Sequence, residues 1–219
     1  MADRPILFSA PMVRALLEDS KTQTRRFLAP WCDEPPAFVD SGAITAYDED
    51  DSPYRWPRTH AIGDRLWVKE AWRAARGLNN KPPRRIPPDA DIEYAATAPS
   101  YAEIGIKGKL RPSIFMPRWA SRITLIVSDV RVQWLRDISE EDAIAEGIFE
   151  RSAIGDDPMH DTWTWRREGW RYSTPQMAYA ALWTEINGPG AWDANPWVAA
   201  YTFTAHRCNI DQMEAEHAG

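Results

Sequence analysis

The chain has 219 residues, 44% of them hydrophobic, with a formal net charge of -6 and a pI near 5.3. That length can close one full core, while the acidic balance argues against a sequence-independent grip on long nucleic acid, which needs a cationic surface that releases counterions. No run of about 18 apolar residues occurs and the start MADRPILFSAP lacks the charged-then-apolar layout of a secretion signal, so neither a membrane span nor export is expected and the chain reads as cytoplasmic.

Arg4 to Ser9 (RPILFS) reads as a short strand. Pro11 suits the first turn of a helix over MVRALLED, with Met12, Ala15 and Leu16 on one face and an end near Ser20. Residues 29–60 hold five prolines (Pro30, Pro35, Pro36, Pro53, Pro57) and the acidic run Asp48 to Asp51, which predicts a solvated loop with little packing. Cys32 in that loop and Cys208 near the end are expected to be free thiols, because so distant a pair in a non-exported chain has no reason to bridge. After Gly63-Asp64, RLWVKEAW has the aromatic and β-branched content of a buried strand. Residues 77–91 are rich in Pro and Arg, and a second insertion is expected over about 77–110.

PRWAS, from Pro117, is one helical turn in outline. In RITLIVSDVRVQWL, Ile123, Leu125 and Val127, then Val130, Val132 and Trp134, alternate with polar residues, and the change of phase at Ser128-Asp129 predicts a bulge or bend. Ser139 before three acids is an N-cap signature, so a helix should run from Glu140 to Glu146 and stop at Gly147. A third insertion is expected over about 149–173. Thr174-Pro175 opens another helix, with Tyr179, Leu182, Trp183 and Ile186 on one face and Gly188 beyond it; NPWVAAYTFTAH is a closing strand. Strands scattered among helices without a βαβ rhythm point to a single α+β domain over 1–219, its strands forming a mixed sheet or small barrel.

Four histidines (His60, His160, His206, His217) lack the paired spacings of zinc ligands, so no metal is expected. Nucleophile-elbow, phosphate-loop and dinucleotide motifs are absent, and no cofactor is called for. What remains is SKTQTRR, residues 20 to 26. In a regular strand Lys21 and Thr24 would point to opposite faces; if residues 20–22 are a turn, the two can converge. A lysine in a dry site loses its proton more readily and can act as a base toward a hydroxyl. The alternative is a solvated basic turn. Glu146, in the last turn of its helix and beside Ile148 and Phe149, sits where the macrodipole and desolvation both disfavour a negative charge, which suits an acid that protonates a leaving amine; a merely exposed glutamate is the plainer use. Glu70 is most simply the partner of an arginine. WRREGWRY, 165 to 172, is a nucleotide clamp, a lid, or surface. The twelve tryptophans could stack on bases, although core packing is the simpler role.

Together, Ser20-Lys21-Thr22-Gln23-Thr24-Arg25-Arg26 in the pattern (G/S)KTxTxR, then Gly63, Asp64, Leu66 and Val68 (GDxLxV), then Ile138 to Gly147 (ISEEDAxAEG) resemble the ASCH family of the PUA-like superfamily. RPILFSAPMVRALL, RPSIFMPRWASRI and WDANPWV are similar to segments of its larger bacterial and prophage-type members. The resemblance covers about half the chain, in order, and leaves the three insertions unmatched. It implies a PUA-like mixed β pseudo-barrel with flanking helices. It also implies the chemistry of enzymes similar to N(4)-acetylcytidine amidohydrolase, which cleave an acyl group from the exocyclic amine of cytidine. The catalytic set carried over is Lys21, Thr24 and Glu146; Arg26, Ser9, Glu70 and Trp72 are the expected substrate-binding residues. The partner implied is a small nucleoside or nucleobase. Other members of the superfamily bind RNA or modified bases without catalysis, and a basic patch of Arg25, Arg26, Arg84 and Arg85 would favour that use; a ribonuclease is a third possibility.

Overall fold

The computed structural model describes residues 1–28, 38–40, 43–47, 53–55, 59–98, 108–151, 162–166 and 170–213. In chain order it contains β1 (Asp3–Leu7), α1 (Ala10–Leu17), β2 (Gln23–Phe27), β3 (Phe38–Asp40), β4 (Ala43–Tyr47), β5 (Pro53–Arg55), β6 (Arg65–Lys69), β7 (Trp72–Ala74) and β8 (Ile92–Tyr94). These are followed by β9 (Thr124–Trp134), α2 (Glu140–Ala145), β10 (Phe149–Arg151), β11 (Thr162–Thr164), α3 (Pro175–Asn187) and β12 (Trp197–His206), with five short 3-10 turns between elements.

The fold is α+β, as its sequence predicts. One mixed sheet has the order β1-β6-β9-β12-β2, with β1 parallel to β6 and the pairs β6/β9 and β12/β2 antiparallel. Three small sheets accompany it, β3-β4-β5, β7-β8 and β10-β11. Among the described residues no closed barrel is formed. No helix among them is long and apolar enough to cross a membrane.

By their contacts the residues form two compact units, one of Met1–Glu18, Asp64–Ile126 and Ala205–Gly219, the other of Asp19–Gly63 and Val127–Thr204. In the first, Pro11 opens α1, whose buried residues are Val13 and Leu16; Met12 and Ala15, expected on the inner face, are only half-buried. A core cluster gathers Trp72, Ala74, Ile86, Met116 and Ala120. The 77–110 insertion is therefore partly structured: β8 pairs with β7 (Trp72 opposite Tyr94), and Ile86 is 2% exposed. Among the described residues Cys208 is in no disulfide; Cys32 lies outside them.

The second unit corrects the expectation for residues 29–60. That stretch carries a three-stranded antiparallel sheet, Phe38 opposite Thr45 and Thr45 opposite Arg55, with Ile44 wholly buried. Its strands are three to five residues long, too short for alternation to outweigh prolines and acids as a signal. β9 runs unbroken through Ser128-Asp129, where the burial pattern slips by one residue without ending the strand. Trp134 turns outward and stacks on Trp197, ring centroids 4.1 Å apart. In the third insertion β10 pairs with β11, and Trp163 bridges Tyr172. α3 is capped by Thr174, whose hydroxyl accepts from the Met177 N–H, and buries Ala178, Tyr179, Leu182 and Trp183; Ile186 is exposed.

Candidate active site

The site belongs to the second unit and is built where the start of β2 meets the end of α2. Ser139 caps α2 by accepting from the Asp142 N–H, and Gly147, at φ 95°, ends it as the spacing predicts. Glu146 is the C-cap. Asp142 and Glu146 lie four residues apart and so share a helix face.

Lys21 and Thr22 precede β2 and are not part of it, which meets the condition for Lys21 to leave the strand's alternation. The Thr22 N–H donates to the Ala145 carbonyl (2.9 Å), and the Thr22 carbonyl accepts from the Phe203 N–H (2.9 Å). Those two bonds fix the turn against the end of α2. Lys21 Nζ then donates to the Glu146 carbonyl at 2.7 Å and to Glu146 Oε2 at 2.6 Å. One cation thus answers both a helix-terminal carbonyl and the carboxylate placed there against the macrodipole. Both side chains are buried, Lys21 at 1% and Glu146 at 2% exposed, which excludes the solvated-turn reading of Lys21 and the exposed-glutamate reading of Glu146. Burial pushes the Lys21 ammonium below its ordinary range more strongly than Glu146 holds it up, and the charges of Arg26 and Arg25 add to the fall.

On β2, Gln23 and Arg25 share a face with Thr202 and Ala200 of β12, their register partners. Gln23 Nε2 donates to the Thr202 hydroxyl (3.3 Å) and to Asp142 (3.2 Å). Arg25 Nη2 donates to Asp142 Oδ2 at 2.6 Å, and its Nη1 donates to Gln23 Oε1 at 2.6 Å and to Glu146 Oε1 at 3.3 Å. Arg131 donates to Asp142 Oδ1 at 2.9 Å. Burial works against the charge on Asp142, but its bonds with Arg131, the charge of Arg25 and the Gln23 bond outweigh it and hold the carboxyl below its usual range. The Tyr179 hydroxyl lies 3.4 Å from Glu146 Oε1. Burial, reinforced by the charge of Glu146, raises that phenol well above its ordinary value, so it remains a donor.

Thr24 and Arg26 occupy the opposite face of β2 with Tyr201 and Ala199. Thr24 is buried, and among the described residues no hydrogen bond joins its hydroxyl to Lys21 or Glu146. The structure therefore joins Lys21 to Glu146 directly and places Thr24 on the neighbouring strand face. Arg26 is half-buried; desolvation lowers its guanidinium, while Glu146, Tyr179 and Tyr201 act in the other direction.

Ser9, Glu70 and Trp72 belong to the first unit. Ser9 is the N-cap of α1, with no capping bond from its side chain. Glu70 takes both nitrogens of an Arg122 fork at 2.8 and 3.0 Å, the ion pair that its sequence suggests, and burial outweighs Arg122 to raise its carboxyl. Trp72 requires a correction: it is 0% exposed inside the core cluster, with Trp119 set edge-on at 6.5 Å, so its ring packs the core and offers no face to a base. The four-arginine patch is also corrected. Arg25 is buried in ion pairs and so drops out of any surface patch, while Arg84 and Arg85 are exposed. In the Arg-Trp segment Trp165 stacks on Tyr172 (5.7 Å), and Arg166 lies over Trp165 while pairing with Glu185.

Sequence reasoning missed Gln23, Asp142 and Tyr179, and misjudged Arg25. The i, i+4 spacing of Asp142 and Glu146 and the i, i+2 spacing of Gln23 and Arg25 were the available signals, but neither says that the two faces meet. Among the described residues no group of acids, histidines or cysteines could hold a metal ion. No family model matches the chain, and neither a curated protein nor a solved structure matches it.

Proposed function

We propose that this chain is an amidohydrolase of the ASCH type, with a PUA-like fold, that removes an acyl group from the exocyclic amine of N(4)-acylated cytidine or cytosine. The observation that carries this reading is the buried Lys21–Glu146 pair, 2.6 Å between Nζ and Oε2. The ion pair and its neutral tautomer, an amine beside a carboxylic acid, differ by one proton moved along that hydrogen bond. The neutral tautomer is a base and an acid side by side, ready for acyl transfer, and burial works toward it by disfavouring the charge on Lys21. No proton need be exchanged with solvent to form it, and no cofactor is called for.

In the reaction, the Lys21 amine takes the proton of the Thr24 hydroxyl as its oxygen bonds to the acyl carbon. Arg26 and backbone amides steady the oxyanion. As the carbon–nitrogen bond breaks, Glu146 passes its proton to the departing exocyclic nitrogen, and the amine leaves as cytidine. The Lys21 proton then passes along the hydrogen bond to Glu146, which restores the free amine; water attacks the acyl-threonine as Lys21 takes its proton, and that proton goes to the Thr24 oxygen as the carboxylic acid is released. The placement of Thr24 on the other face of β2 gives weight to a second route, in which Lys21 activates water directly and Thr24 positions it; both routes consume one water and yield the same products.

The test is to incubate the protein with N(4)-acetylcytidine and N(4)-benzoylcytidine and follow the loss of the acylcytosine ultraviolet band. Cytidine appearing in step with that loss supports the hydrolase. Absence of turnover, together with binding to an oligonucleotide whose affinity falls steeply with salt, would replace it with a non-catalytic RNA or modified-base binder.

A further inference from the structure

We infer that Arg25, at a place the motif leaves variable, is the positioning residue of the Glu146 carboxyl. This rests on the amidohydrolase reading. Lys21 holds one carboxyl oxygen, Oε2, and the carboxyl would still be free to turn about its last bond; the second oxygen, Oε1, is met by Arg25 Nη1 at 3.3 Å and the Tyr179 hydroxyl at 3.4 Å. Arg25 is itself immobilised. Its Nη1 is shared with Gln23 Oε1 at 2.6 Å, its Nη2 is held by Asp142 at 2.6 Å, and its guanidinium lies 5.9 Å from the centre of the Tyr179 ring. The side chain has no solvent exposure.

Three acceptors in three directions require the planar fork of an arginine, and a lysine ammonium cannot span them. Asp142 has a second effect. By pairing with Arg25 it offsets part of the guanidinium charge that the Glu146 carboxyl meets. Arg25 reaches no substrate in this account; it acts through Glu146.

The experiment compares wild type with Arg25→Met, Arg25→Lys and Asp142→Asn. Steady-state kinetics on N(4)-acetylcytidine are combined with a carbon-13 NMR titration of the Glu146 carboxyl, assigned with Glu146→Gln. Arg25→Met should lower kcat by about ten- to a hundredfold with KM nearly unchanged, and Arg25→Lys should not restore it. Losing the cation moves the Glu146 titration to higher pH in Arg25→Met, whereas Asp142→Asn, which leaves the guanidinium uncompensated, moves it to lower pH. Unchanged kcat in Arg25→Met with an unmoved titration would overturn the inference, as would shifts of the same sign in both variants. If wild type hydrolyses nothing, the amidohydrolase reading fails on its own, and the opposed titration shifts still decide whether Arg25 governs Glu146. Should Arg25→Met fail to fold, Asp142→Asn carries the test, with an unmoved titration refuting it.

Discussion

Replacing Glu146 by Gln leaves the Lys21 ammonium buried without its counter-ion. Breaking a buried ion pair from one side costs about 3–5 kcal/mol, and the lysine itself sets a ceiling on that loss. Its ordinary value is 10.5, so discarding the proton at about pH 7 costs about 1.36 kcal/mol for each of about 3.5 pH units, or about 5 kcal/mol. Neutralisation caps the share of the loss that falls on Lys21, while Arg25, which also meets Glu146, keeps Asp142 as its counter-ion. In a chain of 219 residues the expected loss corresponds to a fall in Tm of about 6–20 °C. Adding Lys21→Met removes the stranded charge and should recover about 1–4 kcal/mol. Raising the pH should also help the single variant, since the ceiling falls to about 1.4 kcal/mol by about pH 9.5. Denaturant unfolding of wild type, Glu146→Gln and the double variant at both pH values measures each quantity. A double variant less stable than Glu146→Gln at about pH 7, or a difference between them that ignores pH, would refute the argument.

Ser139→Ala removes the N-cap of the short helix that carries Asp142 and Glu146; it should cost about 1 kcal/mol by thermal unfolding, with Ser139→Asp close to wild type. For Glu70 the folded-state value is raised above the ordinary 4.5, so the folded protein holds the proton more tightly than the unfolded chain and stability declines as pH rises through that window. Glu70→Gln should abolish this component, visible in chemical denaturation as a gain over wild type that grows from about pH 4.5 toward neutrality. A Cβ at Gly108 would lie 2.5 Å from the Ala74 carbonyl oxygen and closer still to Asn79 Oδ1, whereas one at Gly77 meets nothing within 4 Å. Gly108→Ala should therefore lose about 1–3 kcal/mol and Gly77→Ala less than about 0.5 kcal/mol, as read by their unfolding midpoints.

The elements with strong local chemistry were legible in the sequence. Ser139 and Gly147 bracket α2, Pro11 opens α1, and Thr174-Pro175 opens α3, because caps and prolines act within a few residues of themselves. The turn that frees Lys21 from strand alternation was readable only as one of two options; what selects it is a pair of backbone bonds to Ala145 and Phe203, more than a hundred residues away. Arg25 shows the same limit. Alternation assigns it a face of β2, but nothing local says that Asp142 and Glu146 lie opposite that face. Trp72 was misread because an aromatic beside a charged strand end is equally at home in a core or on a rim, and the choice is made by Met116 and Ile86, which come from distant segments. Residues 29–60 read as loop because their prolines and acids are conspicuous while the strands within them are short.

In the proposed reaction Lys21 and Glu146 act together as base and acid on an acylated exocyclic amine. The most direct test is kcat/KM on N(4)-acetylcytidine for wild type, Lys21→Ala and Glu146→Ala, each shown to be folded under the assay conditions. A fall of several orders of magnitude in both variants is the predicted result; turnover by wild type with most of the rate kept in either variant would contradict it.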